Sequence, residues 1–283
     1  METPTATLNN GVQMPMLGFG VWKIDDPQWC EQCVVDALAA GYRLIDTAAI
    51  YGNEEAVGRG IARSEVPREE IFVATKLWLQ DAGYDSTLRA FDVSLKKLGL
   101  DYLDLYLIHQ PYRDVWGSWS AMQKLYADGR TRAIGLSNFY PDRVEDLLLN
   151  FEVPPAVDQL ELHPYFQRPD VLAYLNSNKI ALQAWGPLGQ GRVGMLKDDR
   201  LAGIALKYHR TTAQIVLRWH YQRGVLSIPK SSNPQRIIQN YNIWDFSLSD
   251  SDMAKIAALD RGEGKTDHRA PETVRRLNGM TLG

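Results

Sequence analysis

Apolar positions along the chain alternate between two periods. Short runs at Tyr42 to Ile45, Ile71 to Leu77, Leu103 to Ile108, Ala133 to Leu136, Ala156 to Leu162, Ile180 to Trp185 and Val225 to Ile228 read as strands buried on both faces. Between them the spacing is helical: Leu88, Phe91, Leu95 and Leu98 form one stripe, and Val144, Leu147, Leu148 and Phe151 another. Gly41, Gly99, Gly129 and Gly224 close helices of this set, as left-handed C-caps require. Near the start, Asn9-Asn10-Gly11 separates Thr5 to Leu8 from Val12 to Met14, a hairpin signal. The run Met16 to Val21 brings the strand candidates after the hairpin to eight. Strand alternating with helix implies parallel pairing and right-handed crossovers. Eight such units predict an α/β fold, a closed (β/α)8 TIM barrel with an N-terminal β-hairpin cap. No linker, internal repeat or low-complexity segment interrupts residues 1–283, so a single domain is expected.

In such a barrel the chemistry sits at the C-terminal ends of the strands. Those ends read Asp46, Lys76, His109, Asn138, Gln159, Trp185 and Lys230. Taken alone, Asp46 followed by Tyr51 reads equally as a helix cap and a loop aromatic; recurrence around the rim favours the lining of one pocket. Lys76 is the expected partner of Asp46, because each charge offsets the other's desolvation. An ammonium beside Tyr51 is expected to lower the phenol from its ordinary value of about 10 and make it a general acid. His109 suits a hydrogen bond to a substrate oxygen. These four groups polarise a carbonyl and protonate its oxygen but supply no hydride, so a cofactor must bring the reducing equivalents.

The remaining features narrow the function further. At 45% hydrophobic and 23% charged residues, with a formal net charge of -3, the chain shows no nucleic-acid or membrane signature. Met1 to Asn10 has neither a basic segment nor an apolar core, no run spans a bilayer, and a cytoplasmic location is expected. Cys30 and Cys33 form a Cys-x-x-Cys pair, but with Val34, Ala37 and Leu38 they make the inward stripe of a helix. No metal site is expected, since no further ligands stand near that pair and His163, His209, His220 and His268 lack metal-ligand spacing. His209, His220 and His268 are read as structural or surface residues, and His163 as a residue following a strand end. Gly189-x-Gly191-x-x-Gly194 matches a dinucleotide fingerprint but lacks the acidic residue about 20 positions on, and reads as a flexible loop. Gly135-x-Ser137 lacks the second glycine of a nucleophile elbow, where Phe139 stands.

Three longer patterns carry a resemblance. Gly41-Tyr42-Arg43-Leu44-Ile45-Asp46-Thr47-Ala48 with Tyr51, Glu54 and Gly58, then Ala133-Ile134-Gly135-Leu136-Ser137-Asn138-Phe139, and Ile228-Pro229-Lys230-Ser231 with Arg236, Gln239 and Asn240 are similar to the three signatures of the aldo-keto reductases. The short tail after Asp260 resembles the bacterial diketo-gluconate reductase branch. The resemblance implies a barrel binding NADPH and reducing aldehydes and ketones, with Asp46, Tyr51, Lys76 and His109 as the catalytic tetrad. It implies that Ser137, Asn138 and Gln159 hold the carboxamide and that Trp185 stacks on the nicotinamide. Lys230, Ser231 and Arg236, with Ser232 beside them, would grip the adenosine 2′-phosphate, and Gln239 and Asn240 would flank the adenine. Gly186, Pro187, Leu188 and Gly189 would run along the cofactor, and the glycine-rich loop would fold over its pyrophosphate. Trp22, Trp78 and Trp116 would wall the substrate site. Gln110 stands where many relatives carry tryptophan, which implies a more polar pocket for sugar-derived or small dicarbonyl substrates. Gly186 replaces a frequent serine. The working unit is expected to be a monomer. Two other readings stay open at this point, a cofactor-sensing regulatory module and a cofactor-independent barrel isomerase.

Overall fold

The computed structural model describes residues 3–191 and 194–282. The chain opens on a hairpin, β1 (Thr5–Thr7) antiparallel to β2 (Gln13–Pro15), with Gly11 in the left-handed region at the turn. Asn9 and Asn10 donate side-chain N–H groups to the carbonyls of Pro155 and Arg132, fastening the hairpin to the rest of the fold.

Eight parallel strands follow among the described residues: β3 (Phe19–Gly20), β4 (Leu44–Asp46), β5 (Phe72–Leu77), β6 (Leu105–Ile108), β7 (Ile134–Ser137), β8 (Val157–Glu161), β9 (Ala181–Trp185) and β10 (Leu226–Ser227). Each pairs with its sequence neighbour. The sheet then closes on itself. Leu17 bridges Ser227 in parallel, Gly18 N–H donates to Ser227 at 2.9 Å, and Ser227 N–H donates to Met16 at 3.0 Å. Closure removes the sheet edges, so the expected barrel is present with its hairpin.

The helices lie outside: α1 (Pro27–Ala40), α2 (Glu54–Arg63), α3 (Tyr84–Leu98), α4 (Val115–Ala127), α5 (Pro141–Asn150), α6 (Pro169–Ser177), α7 (Asp199–Tyr208), α8 (Thr212–Gln222), α9 (Pro234–Tyr241), α10 (Asp250–Ala257) and α11 (Pro271–Asn278). None of these is long and apolar enough to cross a membrane. The side-chain period of two splits every strand between two cores. Leu44, Phe72, Ala74, Leu105, Leu107 and Val157 fill the barrel, with Leu8 and Met14 of the hairpin region sealing its floor. Ile45, Val73, Tyr106, Ile108, Ile134 and Leu136 face the helices and pack with Cys30, Cys33, Val34 and Phe91.

Several strands are shorter than their apolar runs. Tyr42 precedes β4, its ring lying 5.8 Å from that of Phe19 and 5.0 Å from that of Tyr241. An apolar run reports burial, whereas a strand also needs a ladder partner. Phe151 likewise lies beyond α5 in extended conformation, although it continues the helical stripe. Two helices, α7 and α8, fill the connection between β9 and β10, and the tail after Asp260 holds α11.

Candidate active site

Strand parity builds the site. On β4 to β6, the residues that follow the barrel-filling Leu44, Ala74 and Leu107 on the same face are Asp46, Lys76 and His109. On β7 to β9 the same face carries Ser137, Gln159 and Gln183. One apolar plug therefore gives way, two residues further along each strand, to one ring of polar groups. Gly135 belongs to this face, and a Cβ there would stand 2.5 Å from the Val157 carbonyl oxygen and 2.8 Å from a Leu107 methyl. Gln159 sits in the middle of β8 and not at its end, because that strand continues to Glu161.

Lys76 Nζ donates to Asp46 Oδ1 at 2.6 Å and to the Thr47 carbonyl at 2.7 Å, and both side chains are buried. Gln159 Nε2 donates to the other carboxylate oxygen at 2.8 Å and to Gln183 Oε1 at 2.7 Å. Burial holds the Lys76 ammonium below its ordinary value, while Asp46 pulls the other way. Glu54, at the start of α2, accepts from Thr75 Oγ1 at 2.7 Å and adds a second buried carboxylate nearby.

Tyr51 ends a short 3-10 turn (Ala49–Tyr51) closed by Gly52 in the left-handed region. Lys76 Nζ lies 5.3 Å from the centre of the Tyr51 ring, and the His109 ring meets that ring edge-on at 5.7 Å. The expected lowering of the phenol is corrected here: burial, with Asp46 adding to it, pushes Tyr51 well above its ordinary value. Desolvation is the larger cause, since a phenolate buried here loses its hydration, and the nearby Asp46 carboxylate disfavours it further. His109 is pushed well below the ordinary imidazole value by burial, by Lys76 and by His268, so it is neutral near pH 7. Its Nδ1 is buried without a hydrogen-bond partner among the described residues.

Asn138 occupies the left-handed region at φ 66° and donates through Nδ2 to the His109 carbonyl at 3.0 Å and to Ser137 Oγ at 3.1 Å. Its Oδ1 accepts from Trp185 Nε1 at 2.8 Å, and Ser137 Oγ donates to the Gln159 carbonyl. These residues are thus brought together with the buried ion pair. Gly186 and Gly189 both take positive φ, which suits glycine where a serine would be strained; Pro187 and Gly189 are buried and Leu188 is half-buried. Of the glycine-rich loop, Arg192 and Val193 lie outside the described residues. Lys265 Nζ donates to Gln190 Oε1 at 2.6 Å and sits over the Trp22 ring, so the tail and this loop meet beside Trp22.

Lys230, Ser232 and Arg236 are exposed, Ser231 is half-exposed, and Gln239 and Asn240 lie on α9, the first exposed and the second buried. Among the described residues neither Lys230 nor Arg236 has a carboxylate partner, and the N–H groups of Lys230, Ser231 and Ser232 have no acceptor. Unpaired cations beside free backbone donors at the start of a helix fit a phosphate.

The three tryptophans part company. Trp78 joins the site, its ring 5.1 Å from that of His109 and its Nε1 donating to the Met280 carbonyl. Trp22 lies by the loop and tail just described. Trp116 lies on the first turn of α4 with its ring packed on Phe151 at 5.2 Å. Gln110 is buried beside His109, with Oε1 unpaired among the described residues. Ile50, Tyr112, Leu277 and Leu282 pack with Trp78, and the Tyr112 hydroxyl donates to the His268 carbonyl at 2.6 Å. His268, read from sequence as structural or surface, is buried near enough to act on His109. No spacing rule could have found these tail residues, because long-range folding alone brings them to the mouth.

A closed eight-stranded parallel barrel with a buried lysine–aspartate pair at its mouth, beside a tyrosine and a neutral histidine, has the build of a barrel oxidoreductase. The model of the aldo/keto reductase family matches residues 16–261, and the chain belongs to that family. It is 48% identical over 260 residues to a glyoxal reductase of Bacillus subtilis, covering 92% of this chain and 94% of that protein. Among solved structures, an aldo-keto reductase from a Medee basin deep-sea metagenome library superposes with a TM-score of 0.91 at 42% identity, covering 93% of this chain and 97% of the other. A Bombyx mori aldo-keto reductase in complex with NADP gives a TM-score of 0.89 at 36% identity, covering 94% and 96%.

Proposed function

We propose that this chain reduces aldehydes and ketones to alcohols with NADPH, using Tyr51 as proton donor. The observation that carries the reading is the buried Lys76–Asp46 pair with Tyr51 and His109 packed beside it in one ring. NADPH supplies the hydride when bound. Ser137, Asn138 and Gln159 would hold its carboxamide: both Gln159 Nε2 hydrogens are committed within the protein, which leaves Oε1 to accept. Trp185, its indole fixed by Asn138, would pack on the nicotinamide. Lys230, Ser231, Ser232 and Arg236 would grip the 2′-phosphate, with Gln239 and Asn240 at the adenine and Gly186 to Gly189 along the chain between.

His109, being neutral, donates a hydrogen bond to the carbonyl oxygen without adding charge. Tyr51 keeps its proton until negative charge develops on that oxygen. An alkoxide is a stronger base than a phenolate, so the transfer is favourable even from a phenol pushed upward. The Lys76 ammonium, near the ring, then stabilises the phenolate it leaves.

Small dicarbonyls and sugar-derived carbonyls are the substrates this pocket suits. The polar Gln110 side chain next to His109 supports this class, and the likeness to a glyoxal reductase points the same way. Trp22 and Trp78 would form the aromatic wall. The reading takes the working unit to be a monomer in the cytoplasm. Following NADPH absorbance with a panel of carbonyl compounds, glyoxal among them, tests the reading. Oxidation of NADPH dependent on both the carbonyl and Tyr51 is expected, and NADPH binding with no turnover on any member would overturn it.

A further inference from the structure

Trp29 is 41% exposed at the third position of α1, although a large aromatic side chain is ordinarily drawn inward. The N-cap Asp26 fixes its backbone, accepting Trp29 N–H at 2.7 Å. Its indole reaches across the fold, Nε1 donating at 3.1 Å to the carbonyl of Ser232. Ser232 lies in the segment 230–232, whose own N–H groups have no acceptor among the described residues. The segment is held from behind by Gly20 N–H donating to the Pro229 carbonyl at 3.0 Å, and in front by Asn233 capping α9. Between those two points, the Trp29 indole makes the one side-chain hydrogen bond from another element among the described residues. One helical turn further along the same face of α1, Cys33 is close enough for Lys230 to act on its thiol. The N-terminal half of α1 therefore backs the loop that carries the exposed cations.

We infer that Trp29 is a positioning residue for the 2′-phosphate, its indole N–H pinning the Ser232 carbonyl so that the free N–H groups of 230–232 and the side chains of Lys230 and Arg236 converge on one anion. The inference rests on the NADPH reading above and deepens it, because it makes α1 a determinant of preference for NADPH over NADH. The physical argument is preorganisation: a three-residue loop left to fluctuate must be ordered when the anion binds, and that ordering opposes binding. NADH has no 2′-phosphate and gains nothing from the pinned loop.

Trp29→Phe keeps the aromatic area and removes only the N–H. Calorimetric titration with NADPH and NADH, and with adenosine 2′,5′-bisphosphate against adenosine 5′-monophosphate, reads binding without turnover. The expected result is NADPH and the bisphosphate weakened about three- to tenfold, as loss of one neutral hydrogen bond implies, with NADH and the monophosphate unmoved. Trp29→Ala should match Trp29→Phe, since the N–H and not the ring area carries the effect. Equal weakening of both cofactors, or no change in either, overturns the inference. A Trp29→Phe chain that fails to fold also overturns it, in favour of a core role for the ring. Wild-type protein that binds neither cofactor overturns the NADPH reading itself, an outcome distinct from unchanged affinity in the variant.

Discussion

The Lys76 ammonium lies 2.6 Å from the Asp46 carboxylate on the neighbouring strand, and neither side chain is more than 2% exposed. Two buried ions in contact stabilise a fold less than their attraction suggests, because both have left water. Removing one of them is far worse.

Lys76→Met should therefore lose about 3–5 kcal/mol of stability, the cost of leaving Asp46 buried and unpaired. Pairing it with Asp46→Leu should restore most of that stability in a urea titration while turnover stays lost. Recovery of activity in the double variant would show that the charges serve only the fold.

Tyr51→Phe should bind NADPH as the wild type does and lose about 10²–10⁴ in kcat, the usual contribution of a positioned general acid. Because Tyr51 is held above its ordinary value, its proton should stay in place through the moderately alkaline range. Reduction rates followed from neutral pH to about 10 should show no limb attributable to Tyr51 in the free enzyme. Activity falling steeply from neutral pH upward, and doing so only when Tyr51 is present, would contradict the raised phenol.

Much of this was legible in the sequence because strand periodicity is short-range information. Two residues past the barrel-filling Leu44, Ala74, Leu107 and Val157 stand Asp46, Lys76, His109 and Gln159, and four separate runs give the same answer. The sign of the Tyr51 shift was not legible, since it depends first on how deeply the fold buries the phenol and then on the Asp46 carboxylate near it, neither of which spacing along the chain shows. Trp116 illustrates another limit. It follows the same loop as Gln110, yet its ring turns toward Phe151 after α5, and one-dimensional position cannot show which way a loop residue points. The tail was opaque for the same reason: Leu277 and Leu282 meet Trp78 across some two hundred residues of chain.

Glycines in α2 test the packing around the first catalytic loop. A Cβ on Gly58 would stand 2.2 Å from the Leu98 carbonyl oxygen, and one on Gly60 would stand 2.8 Å from that of Glu31. Backbone cannot yield as a side-chain tip can. Gly58→Ala should cost about 1–3 kcal/mol despite alanine's better helix propensity, visible as a lowered Tm. A stabilised variant would mean that α2 and α3 separate freely.

Arg236 is exposed and lacks a carboxylate partner among the described residues, so its charge is available to a ligand. Arg236→Ala should weaken NADPH about tenfold or more, as expected for a charge-assisted hydrogen bond, and leave NADH nearly unaffected. The wild-type preference should also shrink as salt rises, through screening of an exposed ion pair. Dissociation constants for both cofactors at two salt concentrations check both statements.

His220 gives stability a pH dependence whose sign is fixed. Burial, aided by Arg223, holds its imidazole at about 3 against an ordinary value of 6.5. A folded pKa below the unfolded one means that the unfolded chain binds the extra proton. His220 thus contributes stability in full above pH 6.5 and loses it as pH falls toward 3. His268, held at about 4, and His109 act in the same direction, whereas Asp158, pushed up by burial, opposes them. Replacing His220 with leucine should remove one proton from the difference, flattening the acid limb by about 1.4 kcal/mol per pH unit between roughly pH 6 and 4. Urea unfolding of both proteins across that range measures the two slopes. Parallel slopes would mean that His220 takes up its proton inside the fold as readily as outside it.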